Sequence, residues 1–334
     1  MHDLFGNAYE RKTEPLGIPY MGSKRKYANA LITRMMELQP NARYLYDLFG
    51  GGGAMSFAAM QKGLIVHYNE LQTDMCELMR YIFNPTPSKF GMFPEEYYNF
   101  VTREKFYELR NENGLYAQFA RICYSFGNNQ KGYAFSPDIE PLKHLAHNVV
   151  MFQCEQSMAK VNEILRVELQ VSNKATWNER RLEFGVNIKA NKKRLDLQQF
   201  QQLQRLQQFQ QLQRLQQFQR LQRLQQFQRL QRLTITNLDY RDVKITTPIN
   251  KTIVYCDIPY RGTAKYVGDF NHAEFDAWFA SLPYTAFLSE YSAPFQCVNE
   301  IKTRSTLSSI NNSCAKIEKL YINHPSAHIL AAQP

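Results

Sequence analysis

Apolar residues recur at helical spacing in YANALITRMMEL, where Ala28, Leu31, Ile32, Met35 and Leu38 share a face, so a helix is predicted here, ended by Pro40 and Asn41. The aromatic-apolar run at 44–49 reads as a buried strand. It is followed by Gly50 to Gly53 and then by AMSFAAMQK, which reads as a helix. Residues 64–68 (LIVHY) predict a second strand, closed by Asn69 and Glu70. TDMCELMRYIF is again helical, with Met75, Leu78, Met79 and Ile82 on one side. Strand, glycine turn, helix and strand make one βαβ unit, which places the chain in the α/β class with a parallel sheet. Strand character returns at Leu233–Thr236 and is strongest at Thr252–Cys256 (TIVYC). FDAWFASL then predicts a helix and YTAFLSEYS another strand.

The stretch between the two sheet-forming parts is different. Residues 84–150 are rich in proline and aromatics, with short helical pieces, and Gly127 and Gly132 flank polar residues as in a loop or hairpin between aromatic arms. Residues 195–233 are a repeat: LQRLQQFQQ begins at Leu203 and LQRLQQFQR at Leu212 and again at Leu221, with Leu or Phe at every third position from Leu197 to Leu233. Period three suits neither regular element. On an α-helix the apolar stripe slips by about 60° per step, and on a strand successive apolar residues face opposite sides. Composition favours helix, since Leu, Gln and Arg are good formers and no Gly, Pro or β-branched residue interrupts. A solenoid-like coil is the alternative, and a spacer of variable length is the plain reading.

Composition adds bounds. The chain has 334 residues, enough for one large α/β domain with an inserted module or for two domains, and 44% hydrophobic residues support a substantial core. Its formal net charge of +10 favours a polyanionic partner. No apolar run is long enough for a membrane span. The first residues, MHDLFGNAYERKTEP, lack a signal-peptide core, so no membrane association and a cytoplasmic location are expected. The six cysteines include no C-x-x-C pair, and nothing near His144 and His147 completes a ligand set, so neither a disulfide framework nor a metal site is expected.

Three features carry chemistry. Gly50 to Gly53, between a strand and a helix, would leave backbone N–H groups open to a ligand, although such turns also serve packing. Glu70, at the end of the next strand, is where a carboxylate accepts both hydroxyls of a ribose; the other reading is a solvated strand end. Asp257-Ile258-Pro259-Tyr260 follows the most apolar strand. A strand-end Asp accepts from an exocyclic amine, Pro259 stiffens the turn so that the Ile258 carbonyl can point at the same group, and Tyr260 offers a face to a flat base. Alone, the tetrapeptide would be a turn. With the other two features it points to an amine on an aromatic ring, made nucleophilic by two acceptors without a metal or a side-chain nucleophile.

These residues resemble the adenine-specific DNA N6-methyltransferases of the Dam-like D12 class. Asp257-Ile258-Pro259-Tyr260 fits the family's Asp-Pro-Pro-Tyr tetrapeptide, with Ile at the second position. Asp47-Leu48-Phe49-Gly50-Gly51-Gly52-Gly53 fits its cofactor loop, and Gly22-Ser23-Lys24, with Tyr20 as the nearby aromatic residue, fits its Gly-x-Lys element. Glu70 stands where Asp is usual, and Asn237, Asp239 and Tyr240 fit the segment bordering the cofactor's adenine. The order of the motifs is that of the family's α group.

The resemblance implies a Rossmann-like methyltransferase core, residues 1–83 with 234–334, and a mainly helical target-recognition insert at 84–233 that contains the repeat. It implies S-adenosylmethionine as cofactor and transfer of its methyl group to N6 of an adenine flipped out of duplex DNA, with Asp257, Ile258, Pro259 and Tyr260 at the reacting amine. Asn128, Asn129 and Lys131, in the loop that resembles the family's DNA-contacting hairpin, are expected at DNA; the other reading is a polar turn. A cognate restriction nuclease is a partner the resemblance allows. The repeat departs from the family pattern and lies where target recognition is normally encoded. Rival readings are methylation of cytosine N4 or of another amine, an inactive DNA-binding relative, and a scaffold function centred on the repeat.

Overall fold

The computed structural model describes residues 17–20, 22–190, 210–221, 233–261, 270–304 and 315–324. Among them, seven strands form one mixed sheet. Strand β1 (Tyr44–Asp47) is central, flanked by β2 (Ile65–Asn69) and β4 (Thr252–Cys256), both parallel to it. Outside β2 lies β3 (Leu233–Thr236), and outside β4 lies β5 (Thr285–Glu290), again parallel. The far edge is antiparallel: β7 (Ala315–Ile322) pairs with β5, and β6 (Gln296–Arg304) pairs with β7. That hairpin is not expected from the sequence, and it makes the sheet mostly rather than wholly parallel. The expected strands are otherwise present, with ends moved. The first stops at Asp47, because the chain turns from Leu48 into the glycines, and the strand expected at 284–292 stops at Glu290.

Side chains of the central strands alternate between two cores. Leu45, Ile253, Tyr255 and Phe287 join the larger one, while Tyr46, Val254, Cys256, Ala286 and Leu288 join the other. The larger core is covered by α1 (Ala28–Leu38), α2 (Ala54–Gln61) and α3 (Thr73–Phe83), whose Leu31, Ile32, Met35, Met75, Leu78 and Met79 are at most 1% exposed, as the helical spacing predicts.

Between α3 and β3 the described chain adds α4 (Arg103–Leu109), α5 (Leu115–Tyr124), α6 (Glu140–Phe152), α7 (Glu155–Leu165), α8 (Trp177–Ala190) and α9 (Gln210–Leu221). The helices here are not all short pieces: α6 runs for 13 residues, with Pro141 in its first turn and Leu142, Ala146, Val149 and Val150 on its buried side. Buried residues of this insert belong to the same cluster as the core helices. The last described helix, α10 (His272–Ser281), backs the second core, and its first turn is capped by the Asn271 side chain.

The repeat falls partly within the described residues, as α9. Over two steps the slip of a three-residue period is only about 120°, so one face still holds the stripe. Leu212, Leu215 and Phe218 are buried, and Phe218 meets Phe93 edge-on at 5.3 Å between ring centres. Arg214, 7% exposed, donates through Nη1 to the carbonyls of Ile122, Cys123 and Ser125, which end α5. Residues 195–209 and 222–232 of the repeat lie outside the described residues, and its last residue, Leu233, opens β3.

Candidate active site

Strand order reverses between β1 and β4: β2 and β3 extend one way, and β4 and β5 the other. At such a switch point the helices leave in opposite directions, and a crevice opens beyond the carboxyl ends of the strands. Register fixes what faces it. Asp47 lies opposite Tyr68 and Tyr255, so Asp47, Glu70 and Asp257 stand at or just past the ends of three neighbouring strands. All three line one cavity of about 740 Å³, together with Gly50, Gly51, Gly52, Tyr20, Lys24, Phe49, Asp239, Tyr240, Ile258, Pro259 and Tyr260. Asp257 therefore opens onto the glycine-lined space. Gly53 does not line it; it is the first cap of α2 and packs against Met79 and Phe57.

The glycine turn serves packing as well as lining the cavity. Gly50, Gly51 and Gly53 already donate their N–H groups within the protein, to Asn69 O, Glu70 Oε2 and Gly50 O. What the turn requires is close approach. A Cβ on Gly50 would lie 2.1 Å from the Tyr68 ring, and one on Gly52 would lie 2.6 Å from the Ile18 carbonyl. Tyr68 Oη in turn donates to Gly51 O at 2.8 Å.

Glu70 is 9% exposed and accepts Gly51 N at 2.8 Å and Gln72 N at 2.9 Å. Burial raises its pKa, opposed by those backbone donors. Asn237 ties the neighbouring loop to it, donating to Glu70 O at 2.7 Å and Leu71 O at 2.9 Å. Asp239 is held by Arg241, and Tyr240 packs with Phe49 at 5.3 Å and Trp278 at 4.7 Å between ring centres, an aromatic wall at one end of the cavity.

Asp47 is buried at 1% exposure. Its Oδ2 accepts Ser56 Oγ at 2.7 Å, while its Oδ1 has no hydrogen-bond partner among the described residues. Burial pushes its pKa up to about 7; Ser56 opposes the shift and the charges of Asp257 and Glu70 add to it.

Another part of the lining is a charged cluster. Lys24 Nζ lies 2.8 Å from Asp257 Oδ1 and 2.9 Å from Glu318 Oε1. Tyr260 Oη donates to the same Glu318 oxygen at 2.5 Å, and the ammonium lies 4.7 Å from the centre of the Tyr260 ring. Burial alone would lower the Lys24 pKa, but the two carboxylates outweigh it and hold it well above its usual value. Asp257 is pushed up to about 6, mainly by burial, against the pull of Lys24 and with a push from Glu318. Next to it, His272 Nε2 is 2.8 Å from Pro259 O, and Arg261 grips Asp276 at 2.6 and 2.7 Å, which fixes the turn after the tetrapeptide.

Glu318 is not among the residues singled out from the sequence. A carboxylate in AKIEKLYI resembles a solvated strand face. The signal was its parity: Glu318 shares a face with Leu320 and Ile322, both buried. Asn128, Asn129 and Lys131 are not brought to the cavity. They lie in the turn after α5, where Ser125 bridges to Tyr133. Asn129 Oδ1 accepts the N–H groups of Lys131 and Gly132 at 2.9 and 3.0 Å, and the Lys131 side chain is exposed.

Among the described residues no group of His, Cys, Asp and Glu is arranged to hold a metal, and no helix is long and apolar enough to cross a membrane. The family model of the D12 class N6 adenine-specific DNA methyltransferases matches residues 20–331. A comparison with curated proteins finds no match.

Proposed function

For this chain, which belongs to the D12 class of N6 adenine-specific DNA methyltransferases and is therefore a DNA adenine methyltransferase, we propose that S-adenosylmethionine is the methyl donor and that an adenine flipped out of duplex DNA enters the cavity beside Asp257. The observation that carries the reading is that Asp257 and Glu70 open onto one space at the reversal of strand order. Residues 84–233 are read as the target-recognition part, with Asn128, Asn129 and Lys131 towards DNA.

The cavity fits a cationic cofactor. Its wall carries Asp47, Glu70, Asp239, Asp257, Glu274 and Glu318 against Lys24 and Arg241, so it is acidic in a chain of net charge +10. The unpaired Asp47 Oδ1 supplies a buried acceptor. Glu70 would take the ribose hydroxyls; Phe49, Asp239 and Tyr240 would border the adenine, and Tyr20, Lys24 and the glycine turn would enclose the rest. Bound there, S-adenosylmethionine supplies a methyl made electrophilic by its sulfonium. Asp257 accepts a hydrogen bond from the N6 amine and stabilises the positive charge that grows on it. The Ile258 carbonyl is the second acceptor. The Tyr260 ring stacks on the base and offsets part of the few kcal/mol that flipping costs. Holding the amine in line is most of the catalysis, because neither a covalent intermediate nor a metal is required.

Incubating the protein with duplex DNA and isotopically labelled S-adenosylmethionine, then digesting the DNA to nucleosides for mass spectrometry, tests this. The label is expected in N6-methyladenine alone. Label in N4-methylcytosine, or none in DNA, overturns the reading.

A further inference from the structure

Glu318 lies on β7, far in sequence from every motif above, yet it forms part of the cavity wall at 8% exposure. One of its oxygens receives both Lys24 Nζ and Tyr260 Oη. The same ammonium touches Asp257. A single cation therefore sits between two carboxylates, with the aromatic ring of the tetrapeptide anchored to one of them. Tyr291 meets that ring edge-on at 4.7 Å, so its plane is set from two sides. A buried carboxylate costs stability unless it is paired and hydrogen-bonded, and among the described residues Glu318 meets both conditions through Lys24 and Tyr260 of the site.

We propose that Glu318 is a positioning residue for methyl transfer: it draws Lys24 partly off Asp257 and fixes the Tyr260 ring, leaving Asp257 an acceptor for the base's amine. This rests on the roles of Asp257 and Tyr260 given above. Without Glu318, Lys24 and Asp257 would close into a simple ion pair, and that pair would compete with the amine for the carboxylate. The Tyr260 hydroxyl would lose its Glu318 acceptor as well.

The groups facing Asp257 are Lys24 before α1, Asp47 on β1, Tyr255 and Cys256 on β4, Tyr260, Tyr291 after β5 and Glu318 on β7. After burial, the strongest influences on its ionisation are Lys24, which favours the carboxylate, and Glu318, which opposes it. Neutralising Glu318 must therefore move the acid limb of the rate to lower pH, and removing Lys24 must move it higher. A residue that only holds the fold together would move neither.

The test is the single-turnover rate of labelled-methyl transfer to duplex DNA as a function of pH. Glu318→Gln is expected to slow transfer about tenfold or more, the scale of a lost hydrogen bond to a charged group. Its acid limb should lie below that of the wild type, and that of Lys24→Met above it. Calorimetric affinity of Glu318→Gln for S-adenosylmethionine should stay within a few-fold, and Glu318→Asp, which keeps the charge, should restore the wild-type limb. An acid limb unmoved in Glu318→Gln overturns the proposal, whether or not the rate falls. Should the Gln variant not fold, Glu318→Asp carries the test through its rate: slower transfer at unchanged KM for DNA is expected, and a wild-type rate overturns the proposal. Failure of the wild-type protein to methylate adenine would instead sink the reading of the site itself.

Discussion

Asp47 and Glu70 end adjacent strands, and burial raises the pKa of both, yet their surroundings differ. Glu70 is satisfied by two backbone N–H groups, whereas Asp47 keeps one oxygen without a partner among the described residues. Glu70→Ala is expected to weaken S-adenosylmethionine binding about tenfold to a hundredfold, the worth of hydrogen bonds to a charged group; unchanged affinity by calorimetry would remove Glu70 from the ribose role. Asp47 carries a pH prediction. Burial pushes its pKa up to about 7, and a cation bound beside it favours the carboxylate, so binding is expected to release a proton. Affinity should fall as pH drops through 7, with proton release visible by calorimetry in buffers of different ionisation enthalpy. Asp47→Asn should remove the part of that dependence that lies near pH 7, and a pH-independent affinity in the wild type would contradict the assignment. At this scale the sequence was legible where a carboxylate ends an apolar strand, as with Glu70 and Asp257. It was not legible at Glu318, whose importance comes from contacts with residues 24 and 260, which only the sheet brings near.

Among elements, the β1–α2–β2 unit and β4 were readable because parallel strands covered on both faces are nearly continuous apolar runs. The β6–β7 hairpin was not, since its lysines and glutamates mask the alternation. In the repeat, composition pointed to the helix found at Gln210–Leu221, whereas the period did not: a period of three slips around a long helix, but over one turn and a half it does not slip far enough to lose a face. The docked segment of α9 is Leu212-x-Arg214-Leu215-x-x-Phe218, and the same pattern recurs at Leu203, Arg205, Leu206 and Phe209 and at Leu221, Arg223, Leu224 and Phe227. Deleting residues 212–220 therefore replaces the docked side chains with identical ones in the same order. That nine-residue deletion should leave the thermal midpoint and methylation near wild type. Arg214→Ala should cost about 1–3 kcal/mol, because it strands carbonyls at the buried end of α5. A deletion more damaging than the substitution would show that the copies are not equivalent.

Across the whole molecule, charge is partitioned: net positive overall, acidic within the cavity. The two ligands should therefore respond differently to salt. DNA affinity should fall steeply on a plot of log affinity against log salt, as counterions return to the phosphates, while cofactor affinity, set by buried groups, should change little. Equal slopes would contradict that division. The fold supports it by gathering Asp47, Glu70 and Asp257 from three strands to one end of the sheet and adding Lys24 and Glu318 from the two extremes of the described chain. The most direct measurement of the central claim is Asp257→Ala, assayed for labelled-methyl transfer to duplex DNA alongside calorimetry with S-adenosylmethionine. The account requires that transfer be lost while cofactor affinity stays within a few-fold of normal. A variant that still methylates adenine at a rate near wild type would contradict it.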